Sequence, residues 1–207
     1  MSIVTVVRKG HRAAIAADTL YSLGNLRIKH AYTPARSKLL AIPHGWMGLV
    51  GSSTHPLVMG SLVRHHADLL DFSSEDAIFE SLLDLQEVLT ESYYVRPDED
   101  DDDQPYDSNH LMGLICNAWG IFGVSSYREV AEYDRFWATG GGDAVALGAM
   151  FAVYDRLDDV AEIARIGAEA ACEFDDSCGL PVHVQTVDLG APPPPPKPRK
   201  KRKPRQR

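Results

Sequence analysis

Apolar and polar positions follow one period at the start of the chain and another further on. Residues 3–8 (IVTVVR) and 13–18 (AAIAAD) are short β-branched or small apolar runs separated by "KGH", the pattern of a β-hairpin. Two more strand-like runs follow, "SKLLAI" ending at Ile42 and "WMGLVGSS" after the turn signal "PHG". From His55 the period lengthens, so that Leu57, Val58, Leu62, Val63 and Leu69 fall on one face of a helix reaching about residue 70. Ser73 and Ser74 before Glu75 and Asp76 mark a second helix start, with Ile78, Leu82, Leu85 and Leu89 as its buried stripe.

The acidic, proline-bounded segment "RPDEDDDDQPYDSN" cannot pack and breaks this pattern. Strands return at "HLMGLICN", "GIFGVSS" and "YDRFWATGG", then helices over about 143–156 and 158–173 precede a last strand, "PVHVQTVDL". Helices grouped in pairs between strand groups predict a layered α+β domain and not a parallel βαβ sheet.

Length and composition narrow the class. With 207 residues and 44% hydrophobic content the chain can bury a substantial core, and one domain over residues 2–190 is expected. The proline run at 192–196 assigns 191–207 to an extended basic tail outside that domain. No stretch approaches the ~20 apolar residues of a membrane span, and the start lacks a signal-peptide layout, so a cytoplasmic protein is expected. Cys116, Cys172 and Cys178 are too few for a disulfide framework and fit no usual zinc spacing.

The net charge of -8 joins two opposed regions, because the last eleven residues hold eight of the 21 Lys and Arg and no acid. Thirteen basic against 29 acidic residues leave the rest at -16, a body that repels nucleic acid. The tail is suited to an acidic partner, to RNA or to the body itself.

The first candidate for chemistry is Ser2. If the initiator methionine is removed, this residue carries a hydroxyl and a free α-amine, a nucleophile and a base on one residue. Alone, the pair "Met-Ser" says little. Read together, "SIVTVVRKG", "IAADTLYSLGN", "SKLLAI", "GLVGSS" and "WATGGGDAVALGAM" resemble the bacterial proteasome-type β subunits, including HslV-like peptidases and related bacterial proteasome homologues. The order of these blocks matches over roughly residues 2–190. The resemblance implies an N-terminal-nucleophile hydrolase, with the αββα sandwich fold and a homo-oligomeric double ring whose sites face an internal chamber.

The same resemblance implies roles residue by residue. Ser2 lies sixteen positions before Asp18, the family spacing between nucleophile and the aspartate ending the second strand. The family lysine resembles Lys38, with Lys29 as competitor, since about four extra residues lengthen the intervening "HAYTPAR" loop. Gly51 resembles the oxyanion donor through its backbone N–H. Thr139 stands where the family commonly has a serine near the terminal amine, and Asp175 resembles the acid supporting that serine. No cofactor is required, although a structural monovalent or divalent cation held by backbone carbonyls of Cys172, Asp175 and Cys178 fits similar family loops.

The expected activity is peptide-bond hydrolysis through an acyl-enzyme, of the threonine-peptidase type with serine as nucleophile, on peptides or unfolded proteins. Two alternatives stand beside it, a small-amide hydrolase of the same fold and a non-catalytic ring or scaffold subunit. Whether an ATPase or other regulator partners the ring is open. The acidic loop 98–107 reads equally as a solvated turn or as a chamber-facing charge.

Overall fold

The computed structural model describes residues 2–93, 111–125 and 128–190. The acidic loop 98–107 and the tail 191–207 lie outside the described residues. Eleven strands and four α-helices among those described occur in the order β1 Ile3–Lys9, β2 Arg12–Asp18, β3 Tyr21–Leu23, β4 Leu26–Ile28, β5 Leu39–Ile42, β6 Gly45–Val50, α1 His55–His65, α2 Glu75–Ser92, β7 Met112–Asn117, β8 Gly120–Val124, β9 Val130–Tyr133, β10 Phe136–Gly140, α3 Asp143–Tyr154, α4 Val160–Phe174 and β11 Val182–Asp188.

Two antiparallel sheets carry the fold, one ordered β10-β1-β2-β11 and one ordered β5-β6-β7-β8-β9; β3 and β4 form a separate small hairpin. Side-chain alternation builds three apolar layers from these sheets. Ile3 and Val7 of β1 and Ala14 and Ala16 of β2 turn toward α3 and α4. Their neighbours Val4, Val6, Ala13, Ile15 and Ala17 turn the other way, against Leu114, Cys116 and Ile121 of the second sheet. That sheet's outer face, with Met47, Leu49, Ile115 and Phe122, packs under α1 and α2. The result is the expected αββα sandwich.

Local chemistry fixes the helix ends. Ser74 accepts the Ala77 N–H at 3.2 Å at the start of α2, and Asp159 accepts the Ala161 N–H at 2.9 Å at the start of α4. Ile78, Leu82, Leu85 and Leu89 are all buried on α2. On α1 the buried positions are Met59, Gly60 and Leu62, whereas Leu57 is exposed; the helix ends at His65 and a short 3-10 turn covers Ala67–Leu69.

The segment read as one strand at 133–141 is two. Tyr133 ends β9 and Phe136 begins β10, and the two belong to different sheets. The Arg8 N–H reaches the Arg135 carbonyl at 2.6 Å, so β1 captures the chain as it leaves the second sheet. Among the described residues no helix is long and apolar enough to cross a membrane.

Candidate active site

The start of β1, the end of β2, the turn after β6, the end of β10 and the loop after α4 meet at one corner of the sandwich. Asp18 is the knot of this corner. It is the last residue of β2, 1% exposed, and four donors reach its carboxylate. Oδ1 accepts the Ile3 N–H at 3.1 Å and Lys38 Nζ at 2.6 Å. Oδ2 accepts the Leu20 N–H at 3.1 Å and the Gly179 N–H at 3.0 Å. Burial of a charged pair is tolerated when geometry and hydrogen bonding are this complete.

Lys38 precedes β5 and is 3% exposed. Its ammonium also lies 5.2 Å from the centre of the Tyr21 ring, which Arg36 covers at 4.4 Å. Burial raises the Tyr21 hydroxyl above its ordinary value, Arg36 opposes that shift and Asp18 adds to it. Lys29 is exposed, so the lysine beside Asp18 is Lys38.

Ser2 is nearly buried at 7% exposure and is held through its main chain. Its carbonyl accepts the Gly141 N–H at 2.8 Å, while the next amide, Ile3 N–H, is the one Asp18 binds. A cleft of about 210 Å³ opens beside Ser2, with Lys38, Tyr21, Leu49, Gly51 and Pro56 among its walls. Gly51 has φ +88, a left-handed conformation natural to glycine, at the turn leaving β6. It therefore lines the cleft together with Ser2.

The three glycines after Thr139 answer three separate demands. A Cβ at Gly140, which has φ +115, would overlap the Ser2 carbonyl oxygen. A Cβ at Gly141 would overlap Ser177 Oγ. Gly142 takes φ +69 as the residue capping α3. The run makes room for the start of the chain, and its geometry needs no phosphate.

Asp175 and Thr139 are not brought together as expected. Thr139 stands opposite Val4 in the pairing of β1 with β10, one step up the ladder from Gly140. The Asp175 carboxylate instead accepts both the hydroxyl and the N–H of Ser177, the latter at 2.9 Å. These two bonds hold its carboxyl below the ordinary carboxylate value, the hydroxyl contributing most. Ser177 and Tyr21 had no periodic signal in the sequence; a serine two residues after an aspartate at a helix end is a turn signature that could have found Ser177.

The carbonyls expected to hold a cation are already engaged in part. Asp175 O accepts the Cys178 N–H at 3.3 Å and Cys178 O accepts Arg27 Nη2 at 3.0 Å. A cation at the Cys178 carbonyl would face a guanidinium, so this loop fits one poorly. Among the described residues no group of three His, Cys, Asp or Glu side chains is placed to hold a metal. Burial, reinforced by Asp18, raises the Cys178 thiol to about 11 and the Cys172 thiol to about 12. Neither is a thiolate nucleophile at neutral pH.

No family model and no curated protein matches the chain. Solved structures do. BPH of Thiobacillus denitrificans in complex with epoxomicin superposes with a TM-score of 0.81 at 35% identity, covering 91% of this chain and 100% of that one. A second structure of BPH from the same organism gives 0.82 at 35%, over 91% and 98%. Eukaryotic HslV from Trypanosoma brucei shares the fold, with a TM-score of 0.67 at 19% identity over 90% and 99%. With this coverage and identity, and a site built at the first residues of β1, the chain belongs to the proteasome-type β-subunit family of the N-terminal-nucleophile hydrolases.

Proposed function

We propose that this chain is the peptidase subunit of a self-compartmentalised ring, hydrolysing peptide bonds with Ser2 as N-terminal nucleophile. The observation that carries the reading is the buried Asp18–Lys38 pair, bonded through Asp18 to the Ile3 N–H and so fixed one residue from the serine.

In this reading the α-amine of Ser2, ordinarily titrating near ~7.7–8.0, is partly neutral at physiological pH and takes the hydroxyl proton as Oγ attacks the carbonyl. Lys38 supplies fixed positive charge against the negative charge that develops, and Asp18 holds it there. The Gly51 N–H donates to the tetrahedral oxyanion. Collapse expels the amine half of the peptide, which receives the proton, and leaves an ester on Ser2 Oγ. Water then repeats the sequence and frees the acid half.

BPH of Thiobacillus denitrificans was solved with epoxomicin, and that compound is the probe for this chain. The protein, whole and assembled, is incubated with epoxomicin and its intact mass and N-terminal peptide are measured. The expected result is a chain beginning at Ser2 that gains the mass of the compound on that residue, hydrolyses a fluorogenic peptide amide, and sediments as a ring. Ser2→Ala should fold, assemble and do neither. A chain that retains Met1 and turns over peptide at full rate would remove the amine from the mechanism. A fully active monomer would favour the small-amide hydrolase, and an inert, unlabelled ring the scaffold subunit.

A further inference from the structure

The oxyanion donor read at Gly51 belongs to a peptide unit at the end of a ladder. Val50 is the last residue of β6, and the pairing with β7 ends there, opposite Met112. The next residue is a glycine at φ +88, whose backbone turns in either sense at small steric cost. The plane joining Val50 to Gly51 rotates with Val50 ψ and Gly51 φ, so its N–H can point into the cleft or away from it. Among the described residues no acceptor meets the Gly51 N–H, and Gly51 lines the cleft with Ser2.

A restraint comes from the far side of the same plane. His55 Nδ1 lies 3.4 Å from the Val50 carbonyl oxygen, and the ring edge from Cε1 to Nδ1 lies 3.7 Å from where a Cβ on Gly51 would stand. Ser52 closes the turn that brings the ring there: its carbonyl accepts the His55 N–H at 3.1 Å and its hydroxyl the Thr54 N–H at 3.2 Å. A carbonyl only accepts, so the ring nitrogen facing it carries the hydrogen. In a trans peptide the C=O and N–H share one plane and point in opposite directions. Holding Val50 O from one side therefore aims the Gly51 N–H to the other. A donor on that oxygen also polarises the unit and strengthens its N–H as a donor.

We infer that His55 is the positioning residue of the Gly51 oxyanion donor, gripping the Val50 carbonyl so that the amide behind it faces the carbonyl under attack. This rests on the reading of Ser2 as nucleophile and Gly51 as donor. The histidine acts through the peptide unit and not as acid or base, so its proton stays on Nδ1 throughout. At 3.4 Å the contact is long; bonds that serve catalysis are often so in the free enzyme and tighten as the transition state forms.

The test compares ground-state with transition-state binding in the assembled protein. A peptide aldehyde is the probe for the second, because it adds Ser2 Oγ to its carbonyl carbon and leaves its oxygen in the oxyanion position. On a fluorogenic peptide amide, His55→Ala should lower kcat roughly tenfold or more with KM little changed, short of the ~10²–10³ of losing an oxyanion donor outright. Affinity for the aldehyde should fall by the same factor as kcat/KM, the mark of an interaction made in the transition state. His55→Asn puts an amide N–H near the position of Nδ1 and should restore both. His55→Gln, whose amide reaches the position of Nε2, should not. A folded His55→Ala protein with the parent's kcat and aldehyde affinity overturns the inference, as does a loss confined to KM. If that variant does not fold, the other two decide, since Asn and Gln variants of equal activity overturn it; failure of all three to fold makes His55 a purely structural residue and overturns it equally. Epoxomicin keeps the two questions apart: a parent labelled at Ser2 with aldehyde affinity unmoved in the variants defeats this inference alone, and a parent unlabelled at Ser2 defeats the reading beneath it.

Discussion

Replacing Lys38 by methionine keeps an unbranched side chain, one atom shorter, and removes its charge. Both partners of the pair are withdrawn from solvent, with 2% and 0% side-chain exposure for Lys38 and Asp18. The carboxylate would keep three N–H donors, from Ile3, Leu20 and Gly179, but lose its counter-charge at 2.6 Å. Breaking a buried pair by removing one partner costs about 3–5 kcal/mol. At about 2–4 °C per kcal/mol for a domain of this size, melting should fall by roughly 6–20 °C. Lys29→Met, at an exposed position, should stay within about 0.5 kcal/mol of the parent. Scanning calorimetry measures both stabilities, and peptide hydrolysis measures the activity of each variant. Activity of the Lys38 variant should fall by a further ~10²–10³, because the charge facing the developing oxyanion is gone. A Lys38→Met protein that melts within a degree of the parent, or a Lys29→Met protein that loses more activity, would refute the assignment of the paired lysine.

Two further outcomes follow from the geometry. Gly140→Ala combines overlap of its Cβ with the Ser2 carbonyl and a φ of +115; strain of about 1–3 kcal/mol should lower the melting temperature and displace Ser2, read as loss of epoxomicin labelling. The thiols should give an alkaline signature: Cys116, Cys172 and Cys178 lie at about 12, 12 and 11 in the folded chain against an ordinary 9.0. The unfolded state then releases protons first, so this stabilisation is complete below about pH 9 and is lost as pH rises toward 11–12, which melting curves against pH and iodoacetamide uptake at pH 8 would follow.

Legibility in the sequence tracked how far each signal depended on period. The α2 stripe and the alternating residues of β1 and β2 were readable because each face meets a continuous apolar layer. The β3–β4 hairpin was not, since strands of three residues are too short to show alternation. The break between β9 and β10 was hidden by "YDRF", which has neither glycine nor proline to mark a change of sheet. At the site, Ser2, Asp18, Lys38 and Gly51 sit at or beside strand ends, and the structure brings them to one corner. Thr139 is expected near the terminal amine from the family resemblance, whereas the structure sets it opposite Val4 and Asp175 meets a hydroxyl two residues away in its own loop. Partners made by a loop folding back leave no period to read.

Among the described residues, the bonds that place Ser2 run to main-chain groups, from Asp18 to the Ile3 N–H and from Gly141 to the Ser2 carbonyl. The corner therefore works as a socket for a peptide unit and is indifferent to the atom that unit presents. Exchanging the hydroxyl of residue 2 for another nucleophile would alter the chemistry at the mouth of the cleft while leaving its address in the fold unchanged, so the reactive group and the framework that aims it can diverge separately.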